Sequence, residues 1–505
     1  MTGLLIGADI GTSALKAVLA HPERGVLAVT EHAYPMRRPH PGWAENDPED
    51  WWTALRAAVP ALLAAAGAVG ADVAALCVVG QRDPFVLVDE AGAPLAPAIH
   101  WTDHRDTAGT DAVFDRVGRE RITDVSGVPP TTGLVLPNLD WTRRALPDAY
   151  AAATHALQPK DFVRMRLTGD RSTDTSSPSR SHLNDWRTDT WSGELCEAAG
   201  LDVRLLPEIR YGAWEATGRL TAAAAAALGL TTSVVVAAGG GDDQAAALGS
   251  GALEPGDLSL GTGSSLAWRA VVRQPRVDAT GRLCIARHVV PDSFIYEAVG
   301  VGTGTMLRWI RELLAQPGAE PPAYEQLIEA AAAIPPGAGG VTCYPYPDGA
   351  TLPWVEPDVR AAILGLSLAH GRGHVIRAVL EGVAYLYPPI LRILAEFGVE
   401  ARSLTVIDGE SRSATWNQLK ADVTGREIRT TRVPEASALG AAILAGMAMG
   451  TFADAEAGAG ALIERGPAFA PDPSRSAVYA RLQAAWEANA PAAFAASRHA
   501  SASRL

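Results

Sequence analysis

Two acidic residues follow three glycines near the middle of the chain, where residues 237–247 read AAGGGDDQAAA. The apolar run before the glycines and the alanines after them predict a strand, a turn and a helix that begins at Asp242. A carboxylate at this position can simply cap the helix. Glycines also let a substrate or phosphate approach the backbone, and a carboxylate there can accept a proton from an attacking hydroxyl or help to hold magnesium. We favour the functional interpretation for Asp242 and Asp243.

Two turns of similar sequence could bind phosphate. Residues 4–20 read as a hairpin with the turn Gly11, Thr12 and Ser13, and residues 257–271 repeat this pattern with the turn GTGSS. Backbone N–H groups in a tight glycine turn form an anion-binding concavity, hydroxyls add donors, and Lys16 could reach the same phosphates. One such turn is more often structural, but two copies half a chain apart favour duplicated lobes with phosphates in a cleft between them. The chain has no GxxxxGK[ST] segment, which excludes a P-loop.

Polar groups that suit a sugar follow a predicted strand at residues 73–79. Residues 80–84 read GQRDP, and ligands of open α/β sheets bind outside the carboxyl ends of strands. Arg82 and Asp83 offer donors and an acceptor for adjacent hydroxyls, although a surface ion pair explains them equally well. Trp101 could pack on the apolar face of a sugar, although a single tryptophan more often serves packing.

The remaining pattern indicates an α/β protein. Its 505 residues predict about two to four domains. We expect further strands at 85–88 and 233–238, and helices at 50–66, 142–153, 222–229, 306–315, 375–397, 414–425 and 437–449. Small residues at 249–256 indicate a lobe boundary. The tail from about residue 467 is rich in proline and alanine, and its polar end should fray.

Composition excludes several classes of protein. The formal net charge of −13 argues against a nucleic-acid partner. The four cysteines are widely spaced without a CxxC pair, which predicts buried free thiols in a reducing compartment. Asp9 interrupts the apolar start, so we expect no signal peptide, and charged or polar residues break the longest apolar runs. We therefore expect a soluble, cytoplasmic protein without a membrane partner.

In their order along the chain, these segments resemble the FGGY family of carbohydrate kinases, within the actin/Hsp70/sugar-kinase superfamily. The segments that carry the resemblance are 9–16, 40–52 (HPGWAENDPEDWW), 160–162 (KDF), 239–243, 261–264, 365–371 and 377–382. Residues 40–52 are especially similar to the xylulose-kinase branch. The resemblance implies an α/β fold of two actin-like (ribonuclease H-like) lobes with a central cleft. The N-terminal lobe, 1–248, would bind the sugar and carry the first phosphate turn, and the C-terminal lobe, 249–505, would bind the nucleotide.

The same resemblance assigns roles to individual residues. Asp242 would be the catalytic base, and Asp9 with Asp242 would serve a magnesium ion. The residues implied for the sugar are Arg82, Asp83, Trp101 and Asp243. The residues implied for ATP are Gly11, Thr12, Ser13, Lys16, Gly261, Thr262, Gly263, Gly304, Arg308 and Gly409. Relatives are often dimers, so a homodimer is a possible assembly.

The chain departs from the family pattern at three places. Glu410 stands where most relatives have glycine, and residues 349–353 read GATLP instead of GERTP. Arg82-Asp83 replaces the Met-His of xylulose kinases and is more similar to the Arg-Glu of glycerol kinases. We expect phosphorylation of a neutral sugar by MgATP, with a ketopentose such as xylulose as acceptor. The alternative is a polyol kinase of glycerol or erythritol type. An actin-like ATPase without phosphoryl transfer is a different class, and it would need a peptide-binding extension or polymer surface that the sequence does not show.

Overall fold

The structure is a computed structural model that describes residues 3–262, 265–300, 303–315 and 320–502. The chain folds into two compact units. The first unit comprises Met1–Leu253, Val271–Tyr296 and Glu435–Glu464, and the second comprises Glu254–Ala270, Glu297–Pro434 and Arg465–Leu505. Both units combine helices and strands, which confirms the predicted α/β class.

The strands are β1 (Leu4–Ile10), β2 (Ala14–His21), β3 (Gly25–Ala33), β4 (Glu45–Asn46), β5 (Val73–Gly80), β6 (Val86–Val88), β7 (Ala98–Ile99), β8 (His155–Leu157), β9 (Thr173–Asp174), β10 (Asn184–Asp185), β11 (Thr190–Trp191), β12 (Ile209–Tyr211), β13 (Ala216–Arg219), β14 (Val235–Ala237), β15 (Asp257–Thr262), β16 (Leu266–Val272), β17 (Cys284–Arg287), β18 (Phe294–Gly300), β19 (Thr342–Tyr344), β20 (Ala362–Leu364), β21 (Ser403–Val406), β22 (Ile428–Thr431) and β23 (Arg465–Phe469).

The α-helices are α1 (Pro48–Ala66), α2 (Thr107–Val117), α3 (Arg119–Ser126), α4 (Val135–Ala145), α5 (Pro147–Ala152), α6 (Pro159–Thr168), α7 (Gly193–Ala199), α8 (Ala222–Leu228), α9 (Asp242–Gly249), α10 (Thr303–Leu313), α11 (Tyr324–Ala332), α12 (Arg372–Ala384), α13 (Tyr387–Glu396), α14 (Ala414–Thr424), α15 (Ala436–Met449), α16 (Ala455–Leu462) and α17 (Pro473–Ala502). Short 3-10 helices occupy Gly70–Asp72, Ser177–Arg180, Val203–Leu205, Ala338–Gly340 and Gly409–Arg412.

The first unit is built on a six-stranded sheet in the order β13-β14-β5-β1-β2-β3. Strands β1, β2 and β3 are antiparallel neighbours, whereas β5 runs parallel to both β1 and β14. Helix α15 packs closely on this sheet and on α9. A Cβ atom at Gly7 would lie 2.1 Å from the Ala438 carbonyl oxygen, and one at Gly440 would lie 2.0 Å from that of Ala245. The small residues of α15 therefore permit close packing on the sheet and on α9.

The second unit repeats the hairpin and parallel-strand arrangement. Strands β15 and β16 are antiparallel, β21 runs parallel to β15, and β22 runs parallel to β21. The carboxyl ends of β15 and β21 therefore meet at one edge of the sheet. The stretch Arg372–Glu396 is long and apolar enough to cross a membrane, but most of it is buried within the protein, as expected of a core helix.

The structure confirms both predicted hairpins and corrects two predicted helices. Residues 142–153 belong to two helices, because the chain leaves α4 at Leu146 and Pro147 begins α5. Residues 375–397 likewise form α12 and α13. The tail contains α17, which buries Tyr479 and Trp486. The predicted fraying concerns residues 501–504, of which 501 and 502 belong to α17 and 503 and 504 lie outside the described residues.

Candidate active site

The first phosphate turn lies between β1 and β2. The Gly11 N–H donates to the Ala14 carbonyl oxygen at 3.1 Å, and the Tyr34 hydroxyl donates to the Gly11 carbonyl oxygen. Burial raises the pKa of Tyr34 well above its usual value, and the negative charges of Asp9 and Asp242 raise it further. The predicted magnesium residue and the predicted base therefore both lie near this hydroxyl.

Lys16 and Thr12 connect this turn to other predicted residues. Lys16 pairs with Asp9 in the register of the hairpin, and both side chains are partly buried. The Trp101 indole N–H donates to the Thr12 hydroxyl at 3.4 Å. The predicted sugar-binding tryptophan thus lies beside the predicted phosphate turn, while Ser13 is exposed.

The three glycines before Asp242 are needed for packing. Gly239 has a φ of +68°, and a Cβ atom there would lie 1.9 Å from the Val78 carbonyl oxygen. A Cβ atom at Gly240 would lie 2.5 Å from the Ser176 hydroxyl, and one at Gly241 would lie 2.3 Å from Cδ of Arg82. Close approach of the backbone therefore explains the glycines, and it brings the start of α9 against Arg82.

Arg82 brings the two acids at the start of α9 together. Its side chain is 2% exposed, its Nη2 atom lies 2.8 Å from Oδ2 of Asp243, and its Nε atom lies 4.0 Å from Oδ1 of Asp242. The side chains of Asp242 and Asp243 remain 29% and 23% exposed. The buried Arg82 cation thus bonds to the Asp243 carboxylate and lies near the Asp242 carboxylate, and a ligand can still reach both acids.

Asp83 does not pair with its neighbour Arg82. Its Oδ1 atom lies 3.2 Å from Nε of Arg180, and both side chains are largely buried. Arg180 ends a 3-10 helix distant in sequence, so the sequence interpretation missed it. Arg82 and Asp83 are therefore held by different partners.

A buried polar network supports the glycine loop that precedes Asp242. The Gly241 N–H donates to the Ser176 hydroxyl at 3.1 Å, and this hydroxyl donates to the Asp174 carboxylate. Lys160 lies 3.0 Å from Asp174 and 2.6 Å from Asp161. Although burial raises the pKa of Asp174, the Lys160 charge and the serine hydroxyls outweigh it and lower this pKa. The KDF segment is thus part of the support of the loop before Asp242.

The second phosphate turn begins at Gly261 and Thr262, at the end of β15. A Cβ atom at Gly261 would lie 2.8 Å from Oδ2 of Asp408, which follows β21. Gly409 is exposed, and a Cβ atom there would have no neighbour within 4 Å. The described residues thus leave open space beside Gly409, one of the residues predicted to bind ATP.

The other predicted nucleotide residues are less informative. Gly263 lies outside the described residues. Gly304 and Arg308 lie on α10, where Arg308 is exposed. Cys77, Cys196 and Cys343 are free and buried, as the sequence predicts, whereas Cys284 is only partly buried.

Comparison with known proteins identifies the family. Residues 4–249 match the N-terminal domain of the FGGY family of carbohydrate kinases, and residues 257–449 match its C-terminal domain. The chain belongs to this family. It is therefore a carbohydrate kinase, a phosphotransferase that acts on a sugar hydroxyl and for which the family implies ATP as phosphoryl donor.

Individual relatives agree with this assignment. A xylulose kinase from Escherichia coli (strain K12) is 32% identical over 450 residues, which cover 88% of this chain and 90% of that protein. A crystal structure of xylulose kinase from Rhodospirillum rubrum is 33% identical, covers 96% of this chain and 98% of its own, and has a TM-score of 0.85. A gluconokinase from Bacillus subtilis is 25% identical over 454 residues, 88% of this chain and 87% of that protein. The two-lobed, actin-like α/β fold of this carbohydrate kinase is thus confirmed.

Proposed function

We propose that this carbohydrate kinase transfers the γ-phosphoryl group of MgATP to a hydroxyl of a neutral ketopentose such as xylulose. The observation that carries the proposal is the position of Arg82, which bonds to Asp243 and lies near Asp242 at the start of α9. Both carboxylates remain accessible. The identity of 32% with a xylulose kinase supports the choice of sugar.

Asp242 acts as the general base in this proposal. It accepts the proton of the sugar hydroxyl as that oxygen attacks phosphorus, which is the task of the acidic residue in kinase sites. Asp243 contacts a second hydroxyl of the sugar, while Arg82 keeps both carboxylates oriented. Trp101 packs against the sugar, and Asp83, held by Arg180, accepts a hydrogen bond from it.

Charge in this cluster favours a neutral acceptor. Arg82 and Arg180 carry two positive charges, whereas Asp83, Asp242 and Asp243 carry three negative charges when ionised. Each arginine already has a carboxylate partner. The carboxylate of a sugar acid would therefore meet net repulsion, so a ketopentose should be preferred to gluconate.

The residues present fit a magnesium ion. Asp9 and Asp242 both act on the Tyr34 hydroxyl, so two carboxylates lie in one neighbourhood. No group of three or more His, Cys, Asp or Glu side chains that could hold a metal occurs among the described residues. Magnesium in kinases is commonly held by one or two carboxylates together with water and substrate phosphates. When bound, magnesium would neutralise charge on the phosphates, and Asp9 and Asp242 would hold it.

We assign the nucleotide to the C-terminal lobe of residues 249–505 and the sugar to the N-terminal lobe of residues 1–248. The nucleotide contacts of the C-terminal lobe would be Gly261, Thr262, Gly263, Gly304, Arg308 and Gly409. Those of the N-terminal lobe would be Gly11, Thr12, Ser13 and Lys16. The free thiols of Cys77, Cys196 and Cys343 support a cytoplasmic location.

A substrate panel tests the proposal. Release of ADP, coupled to NADH oxidation, is measured with xylulose, ribulose, glycerol, erythritol and gluconate at fixed MgATP. Xylulose should give the highest kcat/KM. A clear preference for glycerol or erythritol would support a polyol kinase, and one for gluconate would refute the charge argument. An ATPase rate that no acceptor increases would refute phosphoryl transfer itself.

A further inference from the structure

Tyr34 holds the first phosphate turn at two places. Strands β2 and β3 pair Ala14 with Ala33, so Tyr34, which follows β3, lies opposite Ser13. The Tyr34 N–H donates to the Ser13 carbonyl oxygen at 3.1 Å, and the Tyr34 hydroxyl donates to the Gly11 carbonyl oxygen. One residue therefore binds the carbonyl oxygens at both ends of the turn.

The Tyr34 ring is fixed in the hydrophobic core of the first unit. Only 7% of the residue is exposed, and it belongs to the same buried cluster as Ile10, Leu15 and Trp51. A buried tyrosine hydroxyl usually finds a hydrogen-bond partner, and here that partner is the backbone of the phosphate turn. Because so little of Tyr34 is exposed, its effect on a ligand must pass through the turn.

The turn carries both hydrogen-bond donors and acceptors, and only the donors suit a phosphate. Backbone N–H groups in a tight turn attract an anion, whereas carbonyl oxygens repel it. The Gly11 N–H is used within the turn, since it donates to the Ala14 carbonyl oxygen at 3.1 Å. In the described part of the chain, the N–H groups of Thr12 and Ser13 have no acceptor. Tyr34 therefore binds the acceptors of the turn and leaves two donors for an anion.

Backbone hydrogen bonds join this turn to the loop before the proposed base. The Gln81 N–H donates to the carbonyl oxygen of Ile10, which immediately precedes the turn, at 3.0 Å. The Gly80 N–H donates to the Gly240 carbonyl oxygen at 3.3 Å, two residues before Asp242. The ends of β1 and β5 and the glycine loop therefore lie side by side, and an anion held at the turn would lie at the same edge of the sheet as the proposed base.

We propose that Tyr34 is a positioning residue for the phosphates of ATP: it holds the two carbonyl oxygens of the turn away from the ligand, so that the N–H groups of Thr12 and Ser13 face the phosphates. Without the Tyr34 hydroxyl, the Gly11 carbonyl group could rotate toward the ligand, and its partial negative charge would repel phosphate. This inference rests on the proposed nucleotide role of residues 11–13 and adds to it a residue that does not touch the nucleotide.

The test compares two tyrosine-to-phenylalanine variants of the full-length protein. Tyr34→Phe removes the hydroxyl and keeps both the buried ring and the N–H that binds Ser13. Tyr150→Phe is the matched control, because the Tyr150 hydroxyl accepts the Asp202 N–H at 3.1 Å in the same unit, and neither residue has a proposed role in ligand binding. The KM for ATP, the KM for the sugar, kcat, Tm and the calorimetric Kd for a non-hydrolysable ATP analogue with magnesium are measured for both.

The Tyr34 hydroxyl should matter for the nucleotide and not for the sugar. Tyr34→Phe should raise the KM for ATP and the Kd for the analogue by about tenfold and change the KM for the sugar by less than about twofold. Tyr150→Phe should lower Tm without changing either nucleotide constant. A folded Tyr34→Phe protein with wild-type nucleotide affinity would overturn the proposal, as would an equal loss of affinity in Tyr150→Phe. If the wild-type protein bound no ATP analogue, the proposed function itself would fail, which is a different result.

The pH dependence distinguishes positioning from proton transfer by Tyr34. Burial raises the pKa of Tyr34 well above its usual value, and nearby carboxylates raise it further. These carboxylates are Asp9, Asp242 and Asp50. The hydroxyl therefore keeps its proton and remains a donor, so the ratio of kcat in Tyr34→Phe to kcat in wild type should be the same at about pH 7 and about pH 9. A ratio that changes over this interval would show that the hydroxyl gains or loses a proton in the reaction, and it would overturn the positioning role.

Discussion

Ser176→Ala tests whether the buried network beneath the glycine loop positions Asp242. The substitution removes one oxygen atom, which accepts the Gly241 N–H at 3.1 Å and donates to Asp174. Gly241 is the N-cap of α9, and Asp242 is the first residue of that helix. The loss of this oxygen therefore affects Gly241, the residue before the proposed base, and does not alter the Asp242 side chain.

The expected magnitude follows from these bonds. Asp174 keeps Lys160 at 3.0 Å and the Ser177 hydroxyl at 2.5 Å, so its charge stays compensated. The Gly241 N–H, by contrast, loses its acceptor in a buried site, which costs about 1–3 kcal/mol. If the transition state is destabilised by about 1–2 kcal/mol more than the enzyme–substrate complex, kcat falls by about five- to thirtyfold.

Ser177→Ala is the matched control, because it removes one hydroxyl from the same carboxylate but none from the loop. Both variants are compared with wild type by kcat, the KM values for sugar and ATP, and thermal unfolding. Ser176→Ala should lower kcat, whereas Ser177→Ala should mainly lower Tm. Equal kcat values in the two variants would refute a positioning role for Ser176.

Two further predictions concern substrate contact and acid stability. Asp83→Ala should lower kcat/KM for the sugar by at least about tenfold and leave the KM for ATP nearly constant, because a charged hydrogen-bond acceptor is lost; unaltered sugar kinetics would contradict it. Burial lowers the pKa of His100 to about 4, of His182 to about 3 and of His288 to about 4. As the pH falls, these histidines take up protons in the unfolded chain before they do so in the folded protein, because an unperturbed histidine has a pKa of about 6.5. The free energy of unfolding should therefore have its full value above pH 6.5 and should fall by about 5 kcal/mol between pH 7 and pH 5. Urea titrations at both pH values measure this loss, His182→Gln should reduce it by about a third, and equal stabilities would refute it.

The sequence predicted the secondary structure around the candidate site wherever neighbouring residues form a recognisable pattern. The hairpin of residues 4–20, the glycine loop and the acids that follow it are local patterns, and the structure confirms their strand, turn and helix. The sequence did not predict α17, although this helix buries Tyr479 and Trp486 in the structure. Local composition cannot show which distant surface a helix covers.

Tertiary contacts were outside the reach of sequence patterns. Tyr34, Ser176 and Arg180 lie far along the chain from the residues that they hold, and none of them belongs to a recognisable motif. Glu410 was visible as a departure from the family pattern, but its ion-pair partner Lys420, which lies on α14, could be identified only from the structure. The sequence thus named candidate ligand-binding groups, but it did not reveal the groups that support them.

The turnover of Asp242→Asn with xylulose and MgATP tests the central claim most directly, with Asp243→Asn as its neighbour control. If Asp242 is the base, its substitution should lower kcat by about 10²–10⁴-fold and leave the KM for ATP nearly unchanged, while Asp243→Asn is milder. Near wild-type turnover in Asp242→Asn would contradict the claim, and greater damage in Asp243→Asn would show that the two roles are reversed.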